Sequence, residues 1–509
     1  MNDKSHILWR DKAEALAFET RPFIDGHFNA PSREQTYACL NPATDRVIAE
    51  VARCTAEDVD GAVEAAKRSF DGGGWARSAP EERKQVLLRL ADLILENREE
   101  LALLDTLCMG KPISDTYHGD VPGAAAVFRW YAEAADKMYD SVAPTANTDL
   151  ALIRRVPVGV VGAVIPWNFP LDIAAWKVAP ALIAGNSVVL KPAEQSPLSA
   201  LLLARLARDA GLPAGVLNVV TGFGEEVGEP MGRHEGIDCI AFTGSTETGA
   251  RFLRYSSDSN SKMIWLECGG KSANLIFSDC RDLRRAAQYA AQAIFTNQGA
   301  VCSANSRLLV QADIHDDFMG MLLEEVPKFR PGDPLDERTR MGAIVDGALT
   351  DKIMTYVELG HQEGAKLLTG GRQLQVDGKG CFVEPTVFTE ATSQMRICHE
   401  EIFGPVLSVM TFSDEADAIN KANDSPYGLA ASLWTDDLRR AHRVSDALLA
   451  GTVSVNTVDA ISPVTPFGGF KRSGYGRDLS LYAIDKFCHR KTVWMDLAGP
   501  VAQSVDSGA

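Results

Sequence analysis

Apolar residues recur at helical spacing in the segment that precedes Cys302. In the run 282–295 they occupy positions 283, 286, 287, 290, 291 and 294, which predicts a helix with one buried face. The triplet 297–299 then breaks the helix, because Gly299 can adopt backbone angles that other residues avoid. Residues 307–310 have the apolar character of a buried strand. Cys302 is therefore predicted to lie on a loop between two packed elements, either as a nucleophile or as a small core residue.

Two longer stretches alternate strand-like and helix-like segments. In the first stretch, apolar runs that predict strands cover residues 158–165, 187–190, 216–220, 239–242 and 263–266. In the second stretch, predicted strands cover residues 406–412, 429–434 and 451–455. This rhythm predicts an α/β protein with two doubly wound domains, in which ligands bind at the carboxyl ends of the strands.

The two ends of the chain differ from this alternating pattern. Helical patterns dominate the N-terminal part, at residues 56–70, 80–96, 99–108 and 122–137. Residues 21–28 predict a hairpin with its turn at Asp25 and Gly26. Near the C-terminus, residues 491–495 predict an edge strand and residues 501–509 a frayed tail.

Composition restricts the class of protein. A chain of 509 residues is too long for one core, so we expect two large domains, or two plus a small one. The net charge of -17 argues against nucleic acid as a partner. No apolar run is long enough for a membrane span or a signal peptide, which predicts a cytoplasmic protein. The ten cysteines form no Cys-x-x-Cys pair and no zinc spacing, so we predict no metal site.

Loops at the predicted strand ends carry residues that suit a dinucleotide. The segment 243–249 follows a strand and opens a helix, whose free N–H groups suit a diphosphate. The alternative is an ordinary helix start capped by Ser245. Lys191 and Glu194 could hold ribose hydroxyls, with the acid disfavouring a 2′-phosphate and hence favouring NAD over NADP. The alternative for this pair is a surface ion pair.

Three further loops carry groups with potential chemical roles. Glu267 closes an apolar strand before two glycines, where burial would raise its pKa toward that of a general base. The alternative is a strand-end acid bonded to a nearby backbone N–H. Asn168 lies in a proline-bounded turn and could donate to a developing oxyanion, or be only a turn residue. Glu401 and Phe403 could contact a sugar and a flat heterocycle, or form a strand start with a core ring. Together these groups predict covalent catalysis on a carbonyl beside a dinucleotide.

With these motifs, the chain resembles the NAD(P)-dependent aldehyde dehydrogenase superfamily. The matching stretches are 166–170, 191–194, 242–249, 266–272, 297–302, 400–406 and 466–474. The resemblance extends from Phe23 to Trp494 and implies a homodimer or homotetramer built through a small additional sheet. It implies an NAD-binding domain of residues 1–139 and 157–267 and a catalytic domain of residues 268–478. The oligomerisation elements would be residues 140–156 and 479–500.

The resemblance also implies a role for each matching residue. Cys302 would attack the aldehyde as a thiolate, and Asn168 with the N–H of Cys302 would hold the oxyanion. Glu267 would activate the water that hydrolyses the thioester after hydride transfer to NAD. The implied cofactor contacts are Pro166, Trp167, Lys191, Glu194, Gly224, Gly244, Ser245, Glu401 and Phe403. The implied substrate pocket comprises Asp120, Phe169, Trp176, Val301, Ser303, Asp459, Ile461 and Phe467.

Within the superfamily, the chain is more similar to bacterial aminoaldehyde dehydrogenases of putrescine breakdown, which oxidise 4-(γ-glutamylamino)butanal and relatives. The stretches that carry this likeness are 120–124, 129–134, 265–267 and 480–487. One departure lies in the loop 456–465, where Ser462 stands in place of a second acid common in that branch. Ile461, Pro463 and Val464 make this mouth more apolar, which leaves a neutral or aromatic aldehyde open. Asp120 and Asp459 remain possible amine partners.

Two other functions are compatible with the same motifs. A CoA-acylating relative would transfer the acyl group to CoA, although such relatives typically lack the acid found here at Glu267. A catalytically silent binding or structural protein would keep the fold and bind NAD without forming NADH. The presence of Cys302, Glu267 and Asn168 together favours the hydrolytic dehydrogenase.

We predict that Cys302→Ala abolishes NADH production, because the variant lacks the nucleophile. Absorbance at 340 nm with an aldehyde and NAD measures this, and parallel assays with and without CoA separate hydrolysis from acyl transfer to CoA. Measurable turnover by Cys302→Ala would refute the assignment of the nucleophile.

Overall fold

The first of two large sheets has parallel strands at its centre, which are buried on both faces. The computed structural model describes residues 3–499. The order of the eight strands is His27–Phe28, Phe23–Ile24, Leu217–Val219, Ser187–Lys191, Val160–Val164, Cys239–Thr243, Met263–Glu267 and Gly474–Tyr475. The first two and the last are antiparallel to their neighbours, and the hairpin predicted at residues 21–28 is confirmed. Along Val160–Val164, alternate side chains enter two different cores, so the predicted covering of both faces is confirmed.

Helices pack on both faces of this sheet. Their bounds are Ala56–Gly72, Pro80–Glu96, Arg98–Met109, Val121–Ala134, Pro170–Ile183, Leu198–Asp209, Glu229–Arg233 and Thr246–Ser257. The helix Pro80–Glu96 has the predicted bounds, with proline in its first turn. A π-helical turn, Thr116–Asp120, follows the short helix Ile113–Asp115, and a second one covers Gly224–Gly228.

The second sheet has seven strands. Their order is Lys366–Thr369, Thr386–Thr389, Val406–Phe412, Arg307–Gln311, Ala273–Ile276, Ala430–Trp434 and Thr452–Val455, and only the first is antiparallel to its neighbour. Leu275 and Ile276 point into different cores, so this sheet is also covered on both faces. The main helices around it are Leu283–Phe295, His315–Glu325, Gly347–Gln362, Glu415–Asn423 and Leu438–Ala447. The α/β fold class with two doubly wound sheets is confirmed.

A third, three-stranded sheet joins two distant parts of the chain. Its order is Cys488–Asp496, Asp149–Pro157 and Ser141–Ala143, all antiparallel. The predicted C-terminal edge strand is confirmed, and the predicted tail 501–509 lies outside the described residues. The domain boundaries stay predictions. Within residues 3–499, no helix is both long enough and apolar enough to cross a membrane.

Several short elements were not predicted. They are the helix Asp3–Glu14, the hairpin strands Thr36–Asn41 and Arg46–Ala52, the hairpin strands Gln373–Val376 and Lys379–Val383, and the central strand Ala273–Ile276. The central strand has only four residues and follows two glycines, so its apolar run is too short to separate from a loop.

The loop that carries Cys302 is more unusual than the sequence indicates. Asn297, Gln298 and Gly299 all have positive φ angles of 49°, 56° and 74°. A Cβ atom on Gly299 would lie 2.3 Å from the carbonyl oxygen of Gly404, so only glycine fits there. The other two residues adopt a conformation that costs about 1–3 kcal/mol each, and tertiary contacts must offset this cost.

Candidate active site

One cavity of about 580 Å³ brings together the three predicted catalytic residues. Glu267 is the last residue of the strand Met263–Glu267. Asn168 follows the strand Val160–Val164 of the same sheet, and one strand, Cys239–Thr243, lies between these two. Cys302 comes from the other sheet, on the connection between Leu283–Phe295 and Arg307–Gln311. All three side chains line the cavity. The site therefore lies where the carboxyl ends of the first sheet meet a loop of the second.

The loop before Cys302 is held by its own amide side chains. Asn297 Nδ2 donates to the carbonyl oxygens of Asn168, at 3.0 Å, and Ala300, at 3.2 Å. Gln298 Nε2 donates to the carbonyl of Ala343 at 2.8 Å. These bonds hold the left-handed residues in place and tie the loop to the Asn168 turn.

The Asn168 amide has a fixed orientation and a free hydrogen. Its Nδ2 donates to the Ala300 carbonyl at 2.8 Å, and the residue is only 4% exposed. An amide nitrogen carries two hydrogens, so the second can point to an oxygen in the cavity. The backbone N–H of Cys302 has no hydrogen-bond acceptor among residues 3–499. These two donors have the character of an oxyanion hole.

The Cys302 thiol is partly exposed to the cavity but strongly desolvated. Burial raises its pKa well above the ordinary value, and the carboxyl groups of Glu267, Asp459 and Glu401 raise it further. The thiol form therefore predominates at neutral pH in the protein alone. Nucleophilic attack requires that its proton be transferred to a base.

Glu267 is a buried acid whose pKa is close to neutrality. Burial, followed by the charge of Asp478, raises its pKa to about 8, while Lys177 and Lys486 oppose the shift. Its Oε1 atom is buried and has no hydrogen-bond partner among residues 3–499. Asp478 is itself held between Lys177 and Lys486, with Lys177 Nζ 2.5 Å from its Oδ2. Glu267 can therefore exchange a proton near neutral pH.

A second cavity of about 660 Å³ continues from the first. Both cavities share part of their lining, and the shared residues are Pro166, Trp167, Thr243, Gly244 and Ser245. Lys191, Glu194 and Gly224 line the second cavity only. The first sheet therefore forms one continuous cleft across its strand ends, as expected for a dinucleotide site.

The polar groups of the second cavity fit a dinucleotide. Lys191 is 3% exposed, and its Nζ donates to the Pro192 carbonyl at 3.0 Å and lies 3.8 Å from Glu194. Ser245 caps the helix Thr246–Ser257 by accepting the N–H of Thr248 at 3.2 Å. Ser245 is thus both the helix cap and a cavity residue, and the helix start beside it presents N–H groups suited to phosphate.

Glu401 and Phe403 line the first cavity just before the strand Val406–Phe412 of the second sheet. Glu401 Oε1 accepts the N–H of Gly270 at 3.0 Å. A Cβ atom on Gly269 would lie 2.0 Å from Glu401 Oε2, so the close approach requires glycine. Phe403 packs edge-on against Trp167, with ring centroids 5.5 Å apart. Neither the acid nor the ring is only a strand start, since both line the cavity.

The rest of the first cavity is mainly apolar. Trp176 and Phe467 pack edge to face at 5.3 Å, and Phe169, Val301 and Ile461 complete the predicted part of this wall. Ile461 is 39% exposed at the mouth. An apolar side chain of the loop 456–465 therefore lies at the cavity mouth, as the sequence predicts.

The predicted acids of the substrate pocket occupy different environments. Asp459 lines the cavity and accepts a hydrogen bond of 2.5 Å from Ser303, which also lines it. Asp120 is not among the residues that line the cavity, and its Oδ2 is 2.5 Å from the buried Nζ of Lys111. Its role in the substrate pocket stays a prediction. Asp172 lines the cavity in its place and was not predicted, although residues 169, 172, 173 and 176 share one helix face.

Comparison with known proteins identifies the family. The model of the aldehyde dehydrogenase family matches residues 28–493. The chain belongs to this family. It is 49% identical over 497 residues to the NADP/NAD-dependent aldehyde dehydrogenase PuuC of Escherichia coli, covering 98% of this chain and 100% of the relative.

Solved structures extend the likeness to the whole fold. The indole-3-acetaldehyde dehydrogenase AldA of P. syringae, solved with NAD+ and IAA, is 49% identical with a TM-score of 0.96, covering 97% of this chain and 100% of that one. A gamma-glutamyl-gamma-aminobutyraldehyde dehydrogenase of Burkholderia cenocepacia is 50% identical with a TM-score of 0.95 and the same coverage. The predicted family, and the type of enzyme it implies, are confirmed.

No metal-binding cluster accompanies this site. Within residues 3–499, no three His, Cys, Asp or Glu side chains are grouped so that they could hold a metal ion. All ten cysteines are free thiols.

Proposed function

We propose that the enzyme oxidises an aldehyde to a carboxylic acid with NAD+, through a covalent intermediate on Cys302. The observation that carries the proposal is the convergence of Cys302, Glu267 and Asn168 in one cavity that continues into the Lys191 cleft. This reaction needs a thiol, a carboxyl group with a pKa near neutrality and two oriented N–H donors.

In the first step the Cys302 sulfur attacks the aldehyde carbon. Its proton leaves to a base, for which Glu267 is the candidate in the same cavity. The carbonyl oxygen gains negative charge, and the free N–H of Asn168 and the backbone N–H of Cys302 stabilise it. Because these donors are already fixed, little reorganisation is needed as the charge develops.

In the second part a thioester forms and is hydrolysed. The chemistry supplied by a bound nicotinamide is acceptance of a hydride from the aldehyde carbon. Glu267 first releases to solvent the proton that it took from Cys302. It then takes a proton from water as the water oxygen attacks the thioester carbon, and it passes this proton to the Cys302 sulfur, which leaves as the carboxylic acid forms. The buried Oε1 of Glu267, which lacks a partner, supports this role.

For the substrate we propose an ω-amino or γ-glutamylamino aldehyde. The support is the similarity to PuuC and to the gamma-glutamyl-gamma-aminobutyraldehyde dehydrogenase, and the presence of acids in the cavity wall. The second candidate is a neutral or aromatic aldehyde, which the rings of Phe169, Trp176 and Phe467 and the relative solved with IAA favour.

Rates of NADH formation test both the reaction and the substrate class. A panel of 4-aminobutanal, its γ-glutamylated form, an aliphatic aldehyde and an aromatic aldehyde should give the highest kcat/KM with an amino or glutamylamino substrate. A higher kcat/KM for the aromatic aldehyde would favour the second candidate, and no NADH with any of them would contradict the reaction.

We predict that the steady-state rate rises about tenfold from pH 7 to pH 9, because Glu267 with a pKa of about 8 must be deprotonated to act as a base. Rapid mixing separates the first turnover from this rate. Glu267→Gln should slow the burst of NADH and also lower the steady-state rate by roughly 10²–10⁴, because Glu267 is the proposed base in both steps. A Glu267→Gln enzyme with an unchanged steady-state pH profile would exclude Glu267 as the base.

We also infer that the chain forms homodimers or homotetramers through the three-stranded sheet. Its edge strand Ser141–Ala143 is open, and large apolar side chains on and beside the sheet are exposed, among them Tyr139, Val142 and Trp494. Exposed apolar groups beside an open strand edge support association with another copy.

We expect Val142→Asp to lower the mass of the assembly, because it buries a charge in this contact. Leu438→Asp is the matched control, since Leu438 is also exposed, at 71%, but on a different element. Light scattering after size-exclusion chromatography measures both masses. Equal masses for the two variants would show that this sheet is not the contact.

A further inference from the structure

We propose that Asp172 is a specificity-determining residue that pairs with an ammonium group at the end of the substrate distant from the aldehyde. The proposal rests on the proposed function, because it concerns the cavity in which Cys302 would react. Asp172 is one acid among several near the cavity, and the substrate that it would select is an aldehyde that carries a cation.

Asp172 lies on the cavity side of a wall-forming helix. It belongs to the first turn of Pro170–Ile183, on the same face as Ile173 and Trp176, and all three line the cavity. Its Oδ1 atom is buried and has no hydrogen-bond partner among residues 3–499, and no ion pair to its carboxyl is found there either. An unpaired buried carboxyl is costly to a protein unless a ligand supplies the missing partner.

The surroundings of Asp172 hold more acid than base. Asp105 and Asp120 raise its pKa and Lys111 lowers it, with burial as the largest cause. Lys111 is already paired, because its Nζ lies 2.5 Å from Asp120 and 3.5 Å from the centroid of the Phe169 ring. One lysine thus lies near four carboxyl groups, those of Asp105, Asp115, Asp120 and Asp172, and a second cation would be stabilised on the cavity side.

Other acids near the substrate are already engaged. Asp459 accepts a hydrogen bond from Ser303, and Asp120 is paired with Lys111. Asp172 does not cap its own helix either. Asp105 Oδ2 accepts the N–H of Leu171 at 3.4 Å, and Asp172 accepts no N–H at this helix start among residues 3–499. Asp172 is the cavity acid that these contacts leave without a function.

The neighbouring rings suit a cation better than a second anion. Phe169 and Trp176 line the cavity on either side of Asp172 in the sequence, and aromatic faces attract alkylammonium groups. An acid with adjacent rings is therefore a chemical match for a primary or quaternary ammonium.

Pairs of aldehydes that differ only in charge test the proposal. One pair is 3-aminopropanal with butanal, and a longer pair is 4-(trimethylammonio)butanal with 5,5-dimethylhexanal. The measured quantity is the ratio of kcat/KM for the cationic member to that for the neutral member. We expect Asp172→Asn to lower this ratio about 10- to 100-fold for at least one pair, as loss of a charged contact implies.

Asp115→Asn is the matched control. Asp115 is another largely buried acid near Lys111 and Asp120, but it does not belong to the cavity lining. It should leave the ratio unchanged, which separates a direct contact from a general change in charge. An Asp172→Asn enzyme that still oxidises the neutral aldehydes and keeps the ratio for both pairs would overturn the proposal.

The unaltered enzyme provides a test that needs no substitution. Burial raises the pKa of Asp172 to about 8, so its carboxylate form increases from pH 7 to pH 9. The ratio for the permanent cation should then rise about tenfold over this interval, while the titration of Glu267 affects both members and cancels. A flat ratio contradicts the proposal, and absence of NADH with every aldehyde overturns the proposed function together with it.

Discussion

The carbonyl oxygen of Ala300 is the point on which the arrangement of the site depends. It accepts hydrogen bonds from Asn168 and from Asn297, one on a loop of the first sheet and one on the loop that leads to Cys302. These bonds fix the Asn168 amide and the Cys302 sulfur relative to each other across the boundary between two sheets. They also hold a backbone conformation that would otherwise be unfavourable. The precision of the site thus comes from a contact between loops rather than from either sheet alone.

Burial has opposite consequences for the groups around this contact. It raises the pKa of Cys302, which disfavours the thiolate, and it raises the pKa of Glu267 to about 8, which makes that carboxyl a useful base. The same low polarity strengthens the N–H donors toward a developing oxyanion. A more open cavity would ease ionisation of the thiol, but it would lower the pKa of Glu267 and weaken the N–H donors toward an oxyanion. The buried Lys177–Asp478–Lys486 group moderates the field at Glu267.

Much of this architecture could be predicted from local pattern. Continuous apolar runs identified the central strands of the first sheet, and glycines and prolines at their ends identified the loops with Glu267 and Asn168. Lys191 and Ser245 could be identified in the same way, because each lies in a loop that follows a predicted strand. The sequence could not show which charged side chains pair with each other in the fold. The buried ion pair between Asp120 and Lys111, nine residues apart, has no signature in the sequence.

Asp172 was overlooked for a related reason. An acid in the first turn of a helix is commonly a structural residue, and only the cavity and the lack of a partner distinguish it. The left-handed angles of Asn297 and Gln298 were likewise hidden, because asparagine and glutamine carry no such requirement. The hydrogen bonds that impose these angles join segments more than 40 residues apart.

The short strand Gly474–Tyr475 has a consequence for biosynthesis. It closes the edge of Met263–Glu267, with Gly474 opposite Glu267, and Ser473 adds bonds to Cys268 and Gly269. A ribosome makes the two partners roughly 200 residues apart, so a nascent chain exposes the edge that ends in Glu267 until Gly474–Tyr475 emerges. During that interval the unpaired edge is open to aggregation or to chaperones. The strand that carries Glu267 therefore gains its last neighbour long after its own residues have been made.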